Sequence, residues 1–267
     1  MPVTDDLAAR PPLDSRRLAD GAPDFDVEVV PEAASTNAIL ADRAREGAAE
    51  GLVVVAEHQT AGRGRLDRTW DTPARAALTF SVLLRPTVVV AEWPWLPLLT
   101  GLAVSTAVTA AGVEAGLKWP NDVLVDDLKV AGILLERVET PTGAAAVVGI
   151  GLNVSTTAEE LPVDTATSLA LASGGAFDRT DLLIGLLGRL RQQYDAWQAA
   201  GSTVLRPAYE AACVTVGRDV RVDLPGGRTL TGRATGVDDA GRLVVAGADG
   251  ETAVGAGDVI HVRAVDQ

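Results

Sequence analysis

The pattern of the chain changes near residue 214, and that change limits what it can fold into. Downstream come five short alternating stretches, at 220–222, 230–235, 243–245, 252–254 and 259–262, separated by glycine-bearing turns. A period of two with closely spaced turns predicts a small barrel-like all-β domain over 214–267. Upstream the runs are longer and mixed. Residues 26–30 alternate as a strand, and Ser35 or Thr36 offers a hydroxyl cap to a helix reaching about Glu46. Buried strands are predicted at 52–56 and 76–84, and an apolar small-residue helix at 93–115. A short strand ends at Lys118 in a Pro120-Asn121-Asp122 turn, followed by a hairpin about Asp126-Asp127 and a strand at 145–154. Residues 155–175 read as a loop with short ordered pieces. Helices are predicted at 181–198, where Leu182, Leu183, Leu186, Leu190, Tyr194 and Trp197 recur at helical spacing, and at 203–213. The sum is an α+β fold: a mixed β-sheet domain flanked by helices over 25–213, then the small β domain. Residues 1–24 are rich in Pro, Asp, Ala and Arg without a sustained period, which predicts a disordered segment.

Charge and cysteine content exclude several functions. A net charge of −13 and a pI near 4.6 argue against a general nucleic-acid binder, which needs a basic face. Lone Cys213 excludes an internal disulfide and a cysteine zinc site, and His58 and His261 leave little for a histidine-based metal centre or triad. Neither a membrane span nor a signal peptide is legible, so a cytoplasmic protein is expected. Of 23 basic residues only Lys118 and Lys129 are lysine. Either they are chance survivors in an arginine-biased chain, or a compact ammonium is needed at those two points.

Between the strands at 52–56 and 76–84 lies Gly62-Arg63-Gly64-Arg65-Leu66-Asp67-Arg68-Thr69-Trp70. Glycine permits close backbone approach, arginine supplies planar donors for carboxylates and phosphates, and tryptophan supplies a flat apolar lid. Together they describe a strap for a ligand bearing an anion and a flat ring, or else a basic surface turn. Gly149 and Gly151, inside a predicted strand, mark a second place where something approaches the backbone closely.

These residues, taken in order, resemble the biotin protein ligase family. The likeness is carried by Gly62-Arg63-Gly64-Arg65 with Arg68 and Trp70, by Lys118-Trp119-Pro120-Asn121-Asp122, by Lys129 with Gly132-Ile133, and by Gly149-Ile150-Gly151-Leu152-Asn153. It spans roughly residues 27–169, and the terminal strands resemble that family's SH3-like domain. The resemblance implies a class II synthetase-like catalytic fold. It also implies ATP-dependent formation of biotinyl-5′-AMP, then transfer of biotin to a lysine of the carrier domain of an acyl-CoA or pyruvate carboxylase. Under it, Lys129 and Arg65 are the catalytic residues. Ser35, Thr36, Asn37, Gln59, Gly62, Arg63, Gly64, Gly132 and Ile133 contact biotin with them. Arg68, Trp70, Lys118, Asn121, Gly151 and Asn153 join them in holding ATP or the adenylate, and Asp122 helps to place Mg²⁺. For Ser35 or Thr36 a plain helix cap, and for Trp70 a core or hinge role, remain alternatives.

Two departures accompany the likeness. Repressor members of that family carry an N-terminal winged helix, for which Ser35 comes too soon here, so neither DNA binding nor a repression-linked dimer is expected and a monomer is. The strap also reads Leu66-Asp67 where the better-known pattern is more basic or Gly-rich. Among rivals, a lipoate ligase or octanoyl transferase resembles the same fold but is marked by motifs not found here. A biotin sensor predicts binding without pyrophosphate release, and an adaptor leaves the ordered motifs unexplained.

Overall fold

The computed structural model describes residues 10–65, 68–224, 226–248, 250–255 and 257–261. A helix, α1 (Ser15–Gly21), precedes β1 (Asp26–Val30), α2 (Thr36–Arg45) and β2 (Leu52–Ala56). A small ribbon of β3 (Gly62–Arg63) and β4 (Thr69–Trp70) follows, then β5 (Ala77–Leu84), α3 (Trp95–Ala110), β6 (Gly116–Lys118), β7 (Asp122–Val125), β8 (Leu128–Thr140) and β9 (Gly143–Asn153). Helices α4 (Leu169–Ser173), α5 (Arg179–Ala200) and α6 (Arg206–Ala212) lead into β10 (Asp219–Asp223), β11 (Thr229–Val237), β12 (Leu243–Gly247), β13 (Gly250–Val254) and β14 (Asp258–His261).

Seven strands form one mixed sheet in the order β1-β2-β5-β9-β8-β7-β6. Only β1 and β2 run parallel, joined by a crossover through α2; the remaining neighbours are antiparallel. Strands β2 and β5 are buried along their whole length, β2 as an unbroken apolar run and β5 as one interrupted only by Thr79 and Ser81, as fits strands covered on both faces. On one face α2 seats Leu40 and Ala44 against Leu52, Val54, Leu83 and Val147. On the other, α3 and α5 bring Leu99, Val104, Leu183, Leu186 and Trp197 over Val53, Phe80, Val148 and Ile150. The last five strands make an antiparallel sheet ordered β13-β12-β11-β10-β14, open between its edge strands among the described residues. Two tryptophans dock it: Trp95 Nε1 donates to Asp239 O at 2.8 Å and Trp119 Nε1 to Gly241 O at 3.0 Å.

Several expectations are corrected. Residues 10–24, expected to be disordered, hold α1 and bury Leu13 and Leu18 in the main core; residues 1–9 lie outside the described residues. A short segment needs few apolar anchors when a large domain supplies the rest of the core, so composition alone misjudged it. The helix predicted at 93–115 begins after Pro94 and stops before Gly112, whose φ of +92° ends the helical run. The one predicted at 203–213 is a 3-10 turn followed by α6, divided where Pro207 sets the first turn. Helix α5 outruns its predicted span at both ends, starting behind an Asp178 cap. Leu66-Asp67 and the end of the last predicted strand, Val262, lie outside the described residues.

Candidate active site

One cleft of about 1150 Å³ opens where the sheet, the strap and β14 meet. It is lined by Ser35, Thr36, Asn37, Gln59, Arg63, Gly64, Arg65, Arg68, Trp70, Lys118, Asn121, Asp122, Lys129, Gly132, Ile133, Gly151 and Asn153, every predicted site residue except Gly62. Gly62 is buried at the base of the strap, where a Cβ would stand 2.2 Å from Trp70 O and 2.4 Å from Gln59 Nε2. Its missing side chain lets β3 close on Gln59.

The start of α2 forms a polar floor. Ser35 caps the helix, its hydroxyl accepting from the Ala38 amide at 3.4 Å. The Thr36 amide and hydroxyl donate to Gln59 Oε1 at 3.0 and 3.2 Å, and Thr36 Oγ1 lies 2.7 Å from Ser81 Oγ. Ser81 donates to Asn37 Oδ1 at 2.5 Å, and Asn37 Nδ2 donates to Glu136 Oε2 at 2.6 Å. Arg63 reaches the same carboxylate oxygen at 3.1 Å, tying the strap to β8. These groups are fixed before any ligand arrives, which reduces the ordering cost of binding.

Cations occupy the other end. Lys129 Nζ sits 2.6 Å from Asp122 Oδ1 and 5.7 Å from the centre of the Trp70 ring. Arg65 donates to Asn121 Oδ1 at 2.8 Å and to Gly257 O at 3.5 Å, and Arg68 pairs with Asp258. Burial pushes the Arg65 guanidinium pKa down, with the Asp122 and Asp258 carboxylates acting against it. The Trp70 indole lies across β9 and β8: a Cβ on Gly151 would meet its Cε2 at 2.3 Å, and one on Gly132 would meet Cζ3 at 3.3 Å. Gly132 and Gly151 are register partners, so together they make a flat floor for a ring. The Trp70 N–H is buried and finds no acceptor among the described residues. Asn121 and Asn153 also brace the scaffold, donating to Ile133 O at 2.9 Å and to Thr167 O at 3.0 Å.

The chain matches the Biotin/lipoate A/B protein ligase family over residues 29–153 and the Biotin protein ligase C terminal domain over residues 215–262. It is 43% identical to the biotin–[acetyl-CoA-carboxylase] ligase of Mycobacterium tuberculosis, over 98% of this chain and all of that one. The chain belongs to the biotin protein ligase family. The bifunctional ligase/repressor BirA of Bacillus spizizenii is 35% identical over 79% of this chain and 66% of its own length. The biotin protein ligase of Aquifex aeolicus, solved in complex with biotin and ATP, superposes with a TM-score of 0.78 at 29% identity, covering 90% of this chain and 99% of that one.

Four groups in or behind this biotin protein ligase's cleft were not found by sequence reasoning. Ser81 and Glu136 complete the polar floor, and Asp258 holds Arg68 from the C-terminal sheet. The fourth is His261, whose ring nitrogens lie 3.1 Å from Thr215 Oγ1 and 3.2 Å from Arg218 NH1, while Arg218 also pairs with Asp127 at 2.9 Å. Arg218 has only donors, so Nδ1 accepts and Nε2 carries the proton: the ring is neutral. Burial, then the Lys118 and Arg218 charges, push its pKa from 6.5 down to about 4. A base whose folded pKa is depressed binds fewer protons folded than unfolded, so its contribution to stability is lost as pH falls from 6.5 through about 4. His261→Gln should therefore flatten the slope of Tm against pH in that window, and a slope identical to wild type would contradict this assignment.

Proposed function

We propose that this biotin protein ligase condenses biotin with ATP to biotinyl-5′-AMP and passes the biotinyl group to the ε-amine of a carrier-domain lysine. The observation that carries the reading is the division of one cleft into a fixed polar floor and a cationic end, with the strap crossing both. In the first step the biotin carboxylate attacks the α-phosphorus and pyrophosphate leaves. In the second the carrier amine attacks the mixed anhydride, AMP leaves, and an amide forms. An anion attacking a polyanion needs preorganised positive charge in a place that excludes water.

Lys129 supplies that charge in this reading, and Arg65 holds the adenylate beneath the strap. Ser35, Thr36, Asn37 and Gln59 address the ureido ring, with Arg63 and Gly64 closing over it from the base that Gly62 sets against Gln59, and Gly132 and Ile133 below. Arg68, Trp70, Lys118, Asn121, Gly151 and Asn153 line the nucleotide side. No group of three or more metal-binding side chains occurs among the described residues. That donor set fits Mg²⁺ carried by the triphosphate, with Asp122 as its protein carboxylate, and not a protein-caged ion. The bound ion would offset phosphate charge. We divide the chain into a catalytic unit, 25–213, and a C-terminal unit, 214–267. A carboxylase carrier domain as partner, a monomer and a cytoplasmic setting go with this reading; among the described residues no helix is long and apolar enough to cross a membrane.

The floor favours biotin over lipoate, because an apolar dithiolane would strip water from these polar groups without offering a hydrogen bond in return. The test is biotin-dependent pyrophosphate release with labelled transfer to a carrier domain, lipoate serving as control. Biotin binding without release would mean a sensor, and turnover with lipoate alone would overturn the specificity. Within this reading Asp258→Asn frees Arg68 and loosens the strap. For an exposed pair we expect adenylate release about two- to fivefold faster, and a wild-type release rate would mean that Asp258 does not hold the strap.

A further inference from the structure

Lys129 occupies an unusual place in the sheet. The β8–β9 ladder begins at Ala131, and a bulge interrupts the β7–β8 pairing between Val123 and Leu124, opposite Lys129. On the side where β9 would pair, the 155–168 loop takes over. The Lys129 amide donates to Thr165 O and the Thr167 amide donates to Lys129 O, both at 2.8 Å. The same loop puts Pro162, Val163, Thr165 and Ala166 along the cleft. The backbone that carries the ammonium is thus held by β7 on one side and by this loop on the other.

The loop is in turn tied to the N-terminal segment. Arg10, 6% exposed, donates to both oxygens of Glu160 at 2.7 and 3.1 Å and to Ser155 O at 3.0 Å. Glu160 also accepts from the Thr157 amide at 2.9 Å, closing the loop on itself. Against the upward pull of burial, Arg10 and that amide hold the Glu160 carboxyl below its ordinary pKa. Arg10 is itself anchored, because the next residues are fixed to the domain. Pro11 O accepts from Arg179 at 2.7 Å, and the Leu13 amide donates to Glu57 Oε1 at 2.6 Å. The buried Arg179–Glu57 pair, at 2.7 Å, joins these two contacts into one unit. The bidentate, charge-assisted Arg10–Glu160 pair fixes direction as well as distance.

We propose that Arg10 is a positioning residue for Lys129, acting through Glu160 and the 155–168 loop. The inference rests on the reading of Lys129 as the group that meets the reacting atoms. It gives the N-terminal segment a part in the first chemical step, whereas the polar floor that receives the ring, built from Thr36, Asn37, Gln59, Ser81 and Glu136, shares no hydrogen bond with the loop among the described residues.

The experiment uses the full chain with Arg10→Ala, Arg10→Lys and Glu160→Gln, the last serving if Arg10→Ala does not fold. Hydrogen exchange is read at the Lys129 and Thr167 amides. Alongside it are measured kcat for biotin-dependent pyrophosphate release, corrected for folded fraction, and biotin affinity by calorimetry. Arg10→Ala is expected to speed exchange at both amides and to lower kcat about tenfold, with biotin Kd within about twofold, since a small misplacement of a reacting group is costly. Arg10→Lys should recover part of kcat, because one ammonium can meet Glu160 without its bidentate geometry. Unchanged exchange, or faster exchange with wild-type kcat, overturns the proposal; so does a loss that vanishes once folded fraction is counted. Lys129→Ala in the same assay separates the two readings: if it retains pyrophosphate release, the role of Lys129 has failed, while exchange still reports on the Arg10 clamp.

Discussion

Lys129→Ala should slow biotin-dependent pyrophosphate release by about 10²–10³-fold, the usual effect of removing one preorganised group from developing negative charge. Calorimetry should show biotin binding largely retained, because Thr36, Asn37, Gln59 and Ser81 form their network without the lysine. Arginine is not expected to substitute. The Lys129 ammonium fits between Asp122, at 2.6 Å, and the Trp70 ring, and a Cβ added at Gly132 would already stand 3.1 Å from Nζ. A planar guanidinium is wider than a compact ammonium, so Lys129→Arg should recover little rate. Asp122→Asn should be milder, since it leaves the Lys129 charge and an ion still held by the triphosphate, while removing both the partner that aims the lysine and one carboxylate for that ion. A Lys129→Ala rate within tenfold of wild type would move the reacting centre elsewhere in the cleft, with Arg65 the next candidate.

What was legible in the sequence follows from what is local in the fold. The strap, the Pro120-Asn121-Asp122 turn and the hairpin about Asp126-Asp127 are short segments whose residue types announce their backbone, and Asp126 and Asp127 do take positive φ. Other partners are chosen by register. Ser81 sits inside an apolar strand and reads as core, yet β5 pairs Ser81 with Gly149 and so presents it to Asn37. Glu136 belongs to a long strand of mixed character, and only the stacking of β8 beside β9 brings it to the floor. Asp258 and His261 lie beyond the change of pattern at residue 214, and docking of the second sheet through Trp95 and Trp119 is what sets β14 over the strap. Arg10 stood in a segment whose composition predicts disorder; burial against a domain built far along the chain reverses that preference.

The second large effect is expected at a glycine. Gly149 lies in β9 between Ser81 of β5 and Leu134 of β8, so its backbone is held on both sides. A Cβ there would stand 2.3 Å from Asn37 Oδ1 and 3.0 Å from Asn37 Cγ. A flexible side chain could turn away, but Asn37 is held by Ser81 at 2.5 Å and Glu136 at 2.6 Å. Gly149→Ala should therefore expel the Asn37 amide and leave buried partners unpaired, each at a cost of about 1–3 kcal/mol. We expect biotin Kd to rise by about 10²-fold, with a lower Tm. Steric and chemical accounts are separated by a double-mutant cycle. If Gly149→Ala acts by displacing Asn37, then in an Asn37→Ala background it should cost almost nothing more, because the group it strikes is already gone. Additive losses would mean that the methyl group meets the ligand itself, making Gly149 part of the wall that biotin touches.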